Sequence, residues 1–217
     1  MEEEAMLEEI EDNWIWTASV DYGFQHPFVY SLWCSPPDKS KIFLFKEIYR
    51  SQLDPGEIRE MVDNFIKRFV PAENELVWTV ADHRPEMNKY LRKIGIPFES
   101  AQKQIIPGIA LVKQYLKQDR IFFNKNSLSH PVDSTQESKG YPTRSVEEFD
   151  EYRYKPEEKM TGSIDDEKPI QLHDDFLDTL RYQIVRFDSS PQMADIEPEA
   201  YDVLEENIYV SEGLSWI

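Results

Sequence analysis

Cysteine is nearly missing from this chain. The single Cys34 in 217 residues excludes an internal disulfide and any multi-cysteine zinc site, and it fits a reducing compartment. Glycine is sparse as well, and none of the seven builds a Walker A or dinucleotide loop, so no nucleotide is held by those motifs. No apolar run approaches the roughly 18 residues a membrane span needs, and the N-terminal stretch MEEEAMLEEIED lacks the basic and apolar regions of a signal peptide. The expectation is a soluble, intracellular protein with no membrane partner.

Base is scarce too, but unevenly. The net charge of −18 divides into −8 over residues 1–40, +4 over 41–130 and −14 over 131–217. The excess acid therefore sits in flanks around a mildly basic centre, and a polyanionic partner is permitted but not argued for. Apolar residues at 40% and aromatics at 13% are enough for one folded domain with a sizeable core.

Buried-looking runs rich in aromatic and β-branched residues mark strands over Trp14–Asp21, Pro27–Cys34 and Lys41–Tyr49, joined by short connections as an antiparallel meander. The period then changes. Asp54-Pro55-Gly56-Glu57 is a capping box with proline at the first helical position, and Ile58, Met61, Val62, Phe65, Ile66 and Phe69 recur behind it at helical spacing. A strand over Leu76–Asp82, a helix from about Pro85 to Ile94, an extended Ile96-Pro97-Phe98, a helix near Pro107–Gln118 and a strand at Ile121–Phe123 follow. Residues 124–169 carry no sustained apolar period; a hairpin around Tyr152-Arg153-Tyr154 is the one element they suggest. A helix over about Asp174–Phe187 closes the pattern. The layout is α/β: a central mixed sheet, a three-strand antiparallel meander and then alternating strands and helices, flanked by helices. Residues 1–13 read as an acidic leader or linker, 14–187 as the domain and 188–217 as an acidic tail.

Carboxylates stand where this layout places ligand sites. Asp21 and Asp82 each end a strand that feeds the sheet, at the rim where ligands bind in such folds. Sixty-one positions separate them, and they become neighbours if the strand after the first long helix lies beside the first strand. The plainer alternatives are a turn at Asp21-Tyr22-Gly23 and a helix cap at Asp82. Asp174, Asp175 and Asp178 share one helix face opposite Phe176, Leu177 and Leu180. The first two suit the helix dipole, whereas Asp178 stands where like charges four apart cost stability unless a cation intervenes. Oxygen-only ligands point to Mg²⁺ or Mn²⁺ rather than zinc, and two such ions about 3.5–4 Å apart suit phosphodiester hydrolysis. His26, His83, His130 and His173 form no ligand spacing with one another.

Three stretches resemble the nuclease domain of phage large terminases: Val20-Asp21-Tyr22-Gly23-Phe24-Gln25-His26-Pro27-Phe28-Val29-Tyr30, Ala81-Asp82-His83-Arg84-Pro85-Glu86, and Asp175-Phe176-Leu177-Asp178-Thr179-Leu180-Arg181-Tyr182. The likeness spans roughly residues 14–187. It implies a ribonuclease H-like fold and a two-metal endonuclease that cuts concatemeric viral double-stranded DNA during genome packaging in the host cell cytoplasm. Asp21 would bridge both Mg²⁺ or Mn²⁺ ions, Asp82 would hold one and Asp178 the other. The family often has His where Asp175 stands, which leaves Asp175 as either a direct ligand or a neighbour of one. An ATPase motor domain, a small terminase subunit and a portal are the implied partners. With no Walker A loop present, the chain is expected to be an isolated nuclease domain, either a piece of a longer protein or the product of a separate gene, and its tolerance of surrounding acid implies weak DNA binding by itself. Lys89, Arg92, Lys93, Lys103 and Lys113 are candidate phosphate contacts. A non-catalytic module docking on portal or motor through the acidic tail, and another ribonuclease H-like nuclease such as a resolvase, stand as alternatives.

Overall fold

The computed structural model describes residues 1–82, 84–156, 168–170 and 172–190. Its element order is α1 (Glu3–Leu7), β1 (Ile15–Asp21), β2 (Phe28–Ser35), β3 (Ile42–Arg50), α2 (Pro55–Phe69), β4 (Leu76–Ala81), α3 (Pro85–Arg92), β5 (Phe98–Ser100), α4 (Ile105–Lys117), β6 (Ile121–Phe123), α5 (Ser134–Lys139), a 3-10 turn at Ser145–Glu147, α6 (Glu148–Glu151) and α7 (Asp175–Ser189). One six-stranded sheet runs in the order β5-β4-β1-β2-β3-β6. The β1-β2-β3 meander is antiparallel, and β4 and β6 join its two edges in parallel, with β5 parallel to β4.

Alternation along the strands feeds two cores. Trp16, Ala18 and Val20 of β1 and Phe28, Tyr30, Leu32 and Cys34 of β2 pack on one face with Ile58, Val62 and Phe65 of α2 and Leu91 of α3. Val29 and Trp33 of β2 pack on the other with Tyr115 of α4 and Phe176, Leu180 and Ile184 of α7. In β3 the pairing skips Phe45, since Leu32 faces Lys46 and Trp33 faces Leu44. That bulge switches the parity of the strand. Phe43, Phe45 and Ile48 therefore share the first core, while Ile42, Leu44 and Tyr49 serve the second.

The capping box of α2 is complete: the Asp54 side chain accepts from the Gly56 and Glu57 N–H groups, and the Glu57 carboxylate accepts from the Asp54 N–H.

Several elements differ from the sequence reading. The acidic leader is not simply solvated. It forms α1, with Met6 fully buried in the first core and Met1 and Ile10 packed against it. The extended piece at 96–98 becomes a third parallel strand slightly later, at Phe98–Ser100. Residues 124–156 are not bare loop but carry α5, the 3-10 turn and α6. At the expected hairpin, Tyr154 makes only an isolated antiparallel bridge to Pro169. The acidic tail beyond residue 190 lies outside the described residues. Among the described residues no helix is long and apolar enough to cross a membrane.

Candidate active site

Two strand ends and one helix start meet at one rim of the sheet. β1 and β4 run parallel, with Val20 paired to Ala81, so Asp21 and Asp82 are the next residues on two neighbouring strands. On its other side Asp21 pairs with Val29. α7 packs across β1, β2 and β4, and it is keyed there by Gln183, whose Nε2 donates to Thr17 Oγ1 at 2.8 Å. This brings the first turn of α7 to the rim.

The turn after Asp21 explains the glycine two residues on. A Cβ on Gly23 would lie 2.3 Å from the Pro27 carbonyl oxygen and 2.4 Å from that of His26. Only glycine lets residues 23–27 close this tightly. Tyr22 is buried, and its hydroxyl donates to Asn88 Oδ1 of α3 at 2.7 Å. The turn alternative for Asp21 is thus real geometry, yet it leaves the carboxylate at the rim with one hydrogen bond, from the Tyr22 N–H at 2.8 Å.

Electrostatics show that the acids act on one another. Burial pushes the Asp21 carboxyl up to about 6; repulsion from Asp178 and Asp82 adds to that, while the Tyr22 N–H and Arg84 oppose it. Burial also raises Asp175, to about 8, with Asp21, Asp174 and Asp178 contributing. Asp174 is raised to about 6 by burial and then by Asp178. Asp175 Oδ2 is buried and, among the described residues, has no hydrogen-bond partner. A buried, unpartnered carboxylate oxygen facing other acids is costly, and a cation is the usual remedy.

The remaining two acids are engaged by cations of the protein. Asp82 forms an ion pair with Lys103. The N-cap of α3 is Arg84, without a side-chain cap bond, rather than Asp82, whose carbonyl accepts from the Arg84 N–H. Asp178 Oδ1 accepts from Arg181 Nη2 at 2.7 Å, and the Tyr182 hydroxyl lies 3.3 Å from Oδ2. Arg181 is 3% exposed and its stem passes over Gly108 of α4, where a Cβ would meet Cγ and Cδ at 2.7 and 2.8 Å.

Asp21, Asp82, Asp175 and Asp178 therefore share one rim and one electrostatic field. They are not drawn around a common point: among the described residues no three His, Cys, Asp or Glu side chains are arranged to hold a metal ion. The donor set of hard oxygens and the orphaned Asp175 Oδ2 nonetheless suit Mg²⁺ or Mn²⁺ in kind. The five candidate phosphate contacts are exposed, but Lys103 is committed to Asp82, and Lys93 and Lys113 lie over the rings of Tyr90 and Tyr154. His83 lies outside the described residues. His130 accepts the Tyr49 N–H at 3.0 Å and His173 sits on Tyr141 with ring centres 4.3 Å apart, so both have structural partners. A cleft of about 430 Å³ lined by Arg50, Leu53, Arg68 and His130 opens beside α2 and contains none of these acids.

Sequence reasoning missed Glu148. This fully buried carboxylate accepts the Phe176 N–H on Oε1 and Oε2 at 3.0 and 2.9 Å, the Leu177 N–H at 3.0 Å and the Tyr49 hydroxyl at 2.8 Å. Nothing local announces it, because Ser145-Val146-Glu147-Glu148-Phe149-Asp150-Glu151 reads as a solvated acidic run. The ion-pair partner of Asp178, Arg181, was visible only as part of the Asp-Thr-Leu-Arg-Tyr stretch.

This six-stranded mixed sheet with its flanking helices is the fold found in large terminases and in a large-terminase nuclease domain. The large terminase of a thermophilic bacteriophage superposes with a TM-score of 0.64 at 21% identity, over 81% of this chain. The P22 large terminase nuclease domain does so with a TM-score of 0.59 at 16% identity, over 86% of this chain and 88% of that domain. The chain spans about two fifths of the thermophilic phage protein, 41% of its length. No family model matches the sequence, and no curated protein matches it either.

Proposed function

We propose that this chain is a metal-dependent endonuclease that cuts concatemeric viral double-stranded DNA during genome packaging, with residues 14–187 as the ribonuclease H-like nuclease domain. The observation that carries the reading is the meeting of Asp21, Asp82, Asp175 and Asp178 at one rim, with a buried Asp175 oxygen left without a partner. The shared fold with the P22 nuclease domain supports it.

Two divalent ions of the Mg²⁺ or Mn²⁺ kind, when bound, supply an activated water and stabilisation of the leaving oxygen. Asp21 is the residue that would serve both ions, Asp82 one and Asp178 the other, with Asp175 beside them. Until then Lys103 neutralises Asp82, and Arg181 with Tyr182 fixes the orientation of Asp178. Burial and the neighbouring acids push Asp175 up to about 8, so without a cation it gives up its proton less readily than an ordinary aspartate, which reduces the repulsion in the cluster.

The flanking acid repels phosphate, so duplex DNA is bound weakly by this domain alone, and an ATPase motor domain, a small terminase subunit and a portal bring the substrate to it. The exposed Lys89, Arg92 and Lys93 are the phosphate contacts of the reading. Supercoiled plasmid incubated with the protein and Mn²⁺ or Mg²⁺ tests it. Nicking and linearisation are expected for wild type and are lost in Asp21→Asn and with EDTA. No cleavage with either metal contradicts the reading and favours a non-catalytic packaging module; preference for a branched junction over linear duplex favours a resolvase.

A further inference from the structure

The first turn of a helix presents N–H groups with no partner inside the helix, and a side chain at the N-cap ordinarily satisfies one or two of them. In α7 that local device is lacking: Asp174 stands at the N-cap with φ −119° and ψ 15° and makes no side-chain cap hydrogen bond. The partner comes from 28 positions earlier in the chain. Glu148 takes the Phe176 and Leu177 N–H groups on its carboxylate and is itself held by the Tyr49 hydroxyl of β3. Its neighbour Phe149 packs against Phe176, ring centres 6.3 Å apart, and Phe176 stacks on Trp33 of β2 at 6.2 Å. The α6 segment thus grips the start of α7 twice, by backbone and by ring, and fastens it to the sheet. Asp175 and Asp178 flank the two gripped residues in sequence, so the place of both acids follows from this clasp.

We infer that Glu148 is the positioning residue of the site: by capping α7 from outside the helix it fixes where Asp175 and Asp178 stand relative to Asp21 and Asp82. It touches neither substrate nor metal. The inference rests on the nuclease reading, and its test separates the two.

Direct Mn²⁺ titration of the whole chain, read by the electron paramagnetic resonance of free Mn²⁺, is compared for wild type, Glu148→Ala and Glu148→Gln, with plasmid cleavage and circular dichroism alongside. Positioning predicts that Glu148→Ala folds yet binds Mn²⁺ about 10- to 100-fold more weakly, as loss of a group that orients metal ligands typically does. Its kcat falls while KM for DNA holds, and Glu148→Gln, which keeps an oxygen acceptor for the α7 N–H groups, recovers most of the affinity. A Glu148→Ala protein that loses thermal stability but binds Mn²⁺ as wild type does overturns the inference. Should Glu148→Ala not fold, Tyr49→Phe decides: it removes the hydroxyl that holds the carboxylate, and weaker Mn²⁺ binding supports the inference whereas unchanged binding overturns it. Wild type that neither binds Mn²⁺ nor cleaves overturns the nuclease reading itself and this inference with it.

Discussion

Asp21 and Asp82 each stand one residue beyond the last paired positions, Val20 and Ala81, of two adjacent parallel strands. Strand spacing is about 4.8 Å, so this register alone makes neighbours of two carboxylates that are far apart in sequence. α7 then adds Asp174, Asp175 and Asp178 to the same field. Such a concentration of acid works against folding in the absence of a cation, and that cost can be measured.

Stability should fall as pH rises. Asp21 and Asp174 titrate at about 6 and Asp175 at about 8 in the folded protein, all above the ordinary 3.8 for aspartate. Glu47, buried against Ser127, is pushed up to about 7 in the same sense. The folded state then binds more protons than the unfolded chain, so stabilisation present below pH 4 is lost progressively up to about pH 8. Asp38, held low by the Ser40 N–H, and Asp133, which Ser51 and Thr135 hold low against the raising effect of burial, act oppositely at the acid end, and His130 and His173, lowered by burial, act oppositely as pH rises towards neutrality. A shift of two units corresponds to roughly 3 kcal/mol at most, less where charges are coupled. Urea melts without metal at pH 5 and pH 8 should show wild type weaker at pH 8, with Asp21→Asn losing about 1–3 kcal/mol less over that interval. Equal losses in the two proteins would show that Asp21 carries no strain.

Gly108→Ala should disturb the site from a distance. The new methyl would collide with Cγ and Cδ of Arg181, whose guanidinium is tied to Asp178 and which is buried between α4 and α7. Overpacking costs about 1–3 kcal/mol, against about 1 kcal/mol gained from replacing glycine inside a helix. A net loss of up to about 2 kcal/mol in urea melts is expected, with a larger proportional fall in plasmid cleavage because Asp178 loses its partner geometry.

Much of the sheet was legible because its central strands are buried on both faces and therefore read as runs of aromatic and β-branched residues bounded by turn formers: β1, β2, β3, β4 and the capping box of α2 fall within a residue of where the sequence places them. The pairing of Asp21 with Asp82 followed from connection rules rather than from residues. What escaped depended on tertiary partners. Glu148 is a charged residue in a charged run, and only α7's uncapped N–H groups make it a core residue. Met6 lies among acids, and its burial depends on the surface offered by the first core. Lys103 read as a candidate phosphate contact and Arg181 only as part of the closing helix stretch, yet each answers a particular acid of the rim.

Met6→Ala should accordingly behave as a core deletion. The side chain is fully buried with Trp14, Phe43 and their neighbours, so a loss of about 2–4 kcal/mol in urea melts is expected. A loss under about 0.5 kcal/mol, the range of surface changes, would mean the acidic leader is dispensable to the fold.

The most direct measurement is an anomalous difference map from a crystal of this chain soaked in Mn²⁺. The account predicts peaks at the rim, with carboxylate oxygens of Asp21, Asp82 and Asp178 about 2–2.5 Å from manganese, Lys103 displaced from Asp82, and no peak in an Asp21→Asn crystal. A well-ordered rim with no anomalous density, Asp82 still on Lys103 and Asp178 still on Arg181, would contradict it.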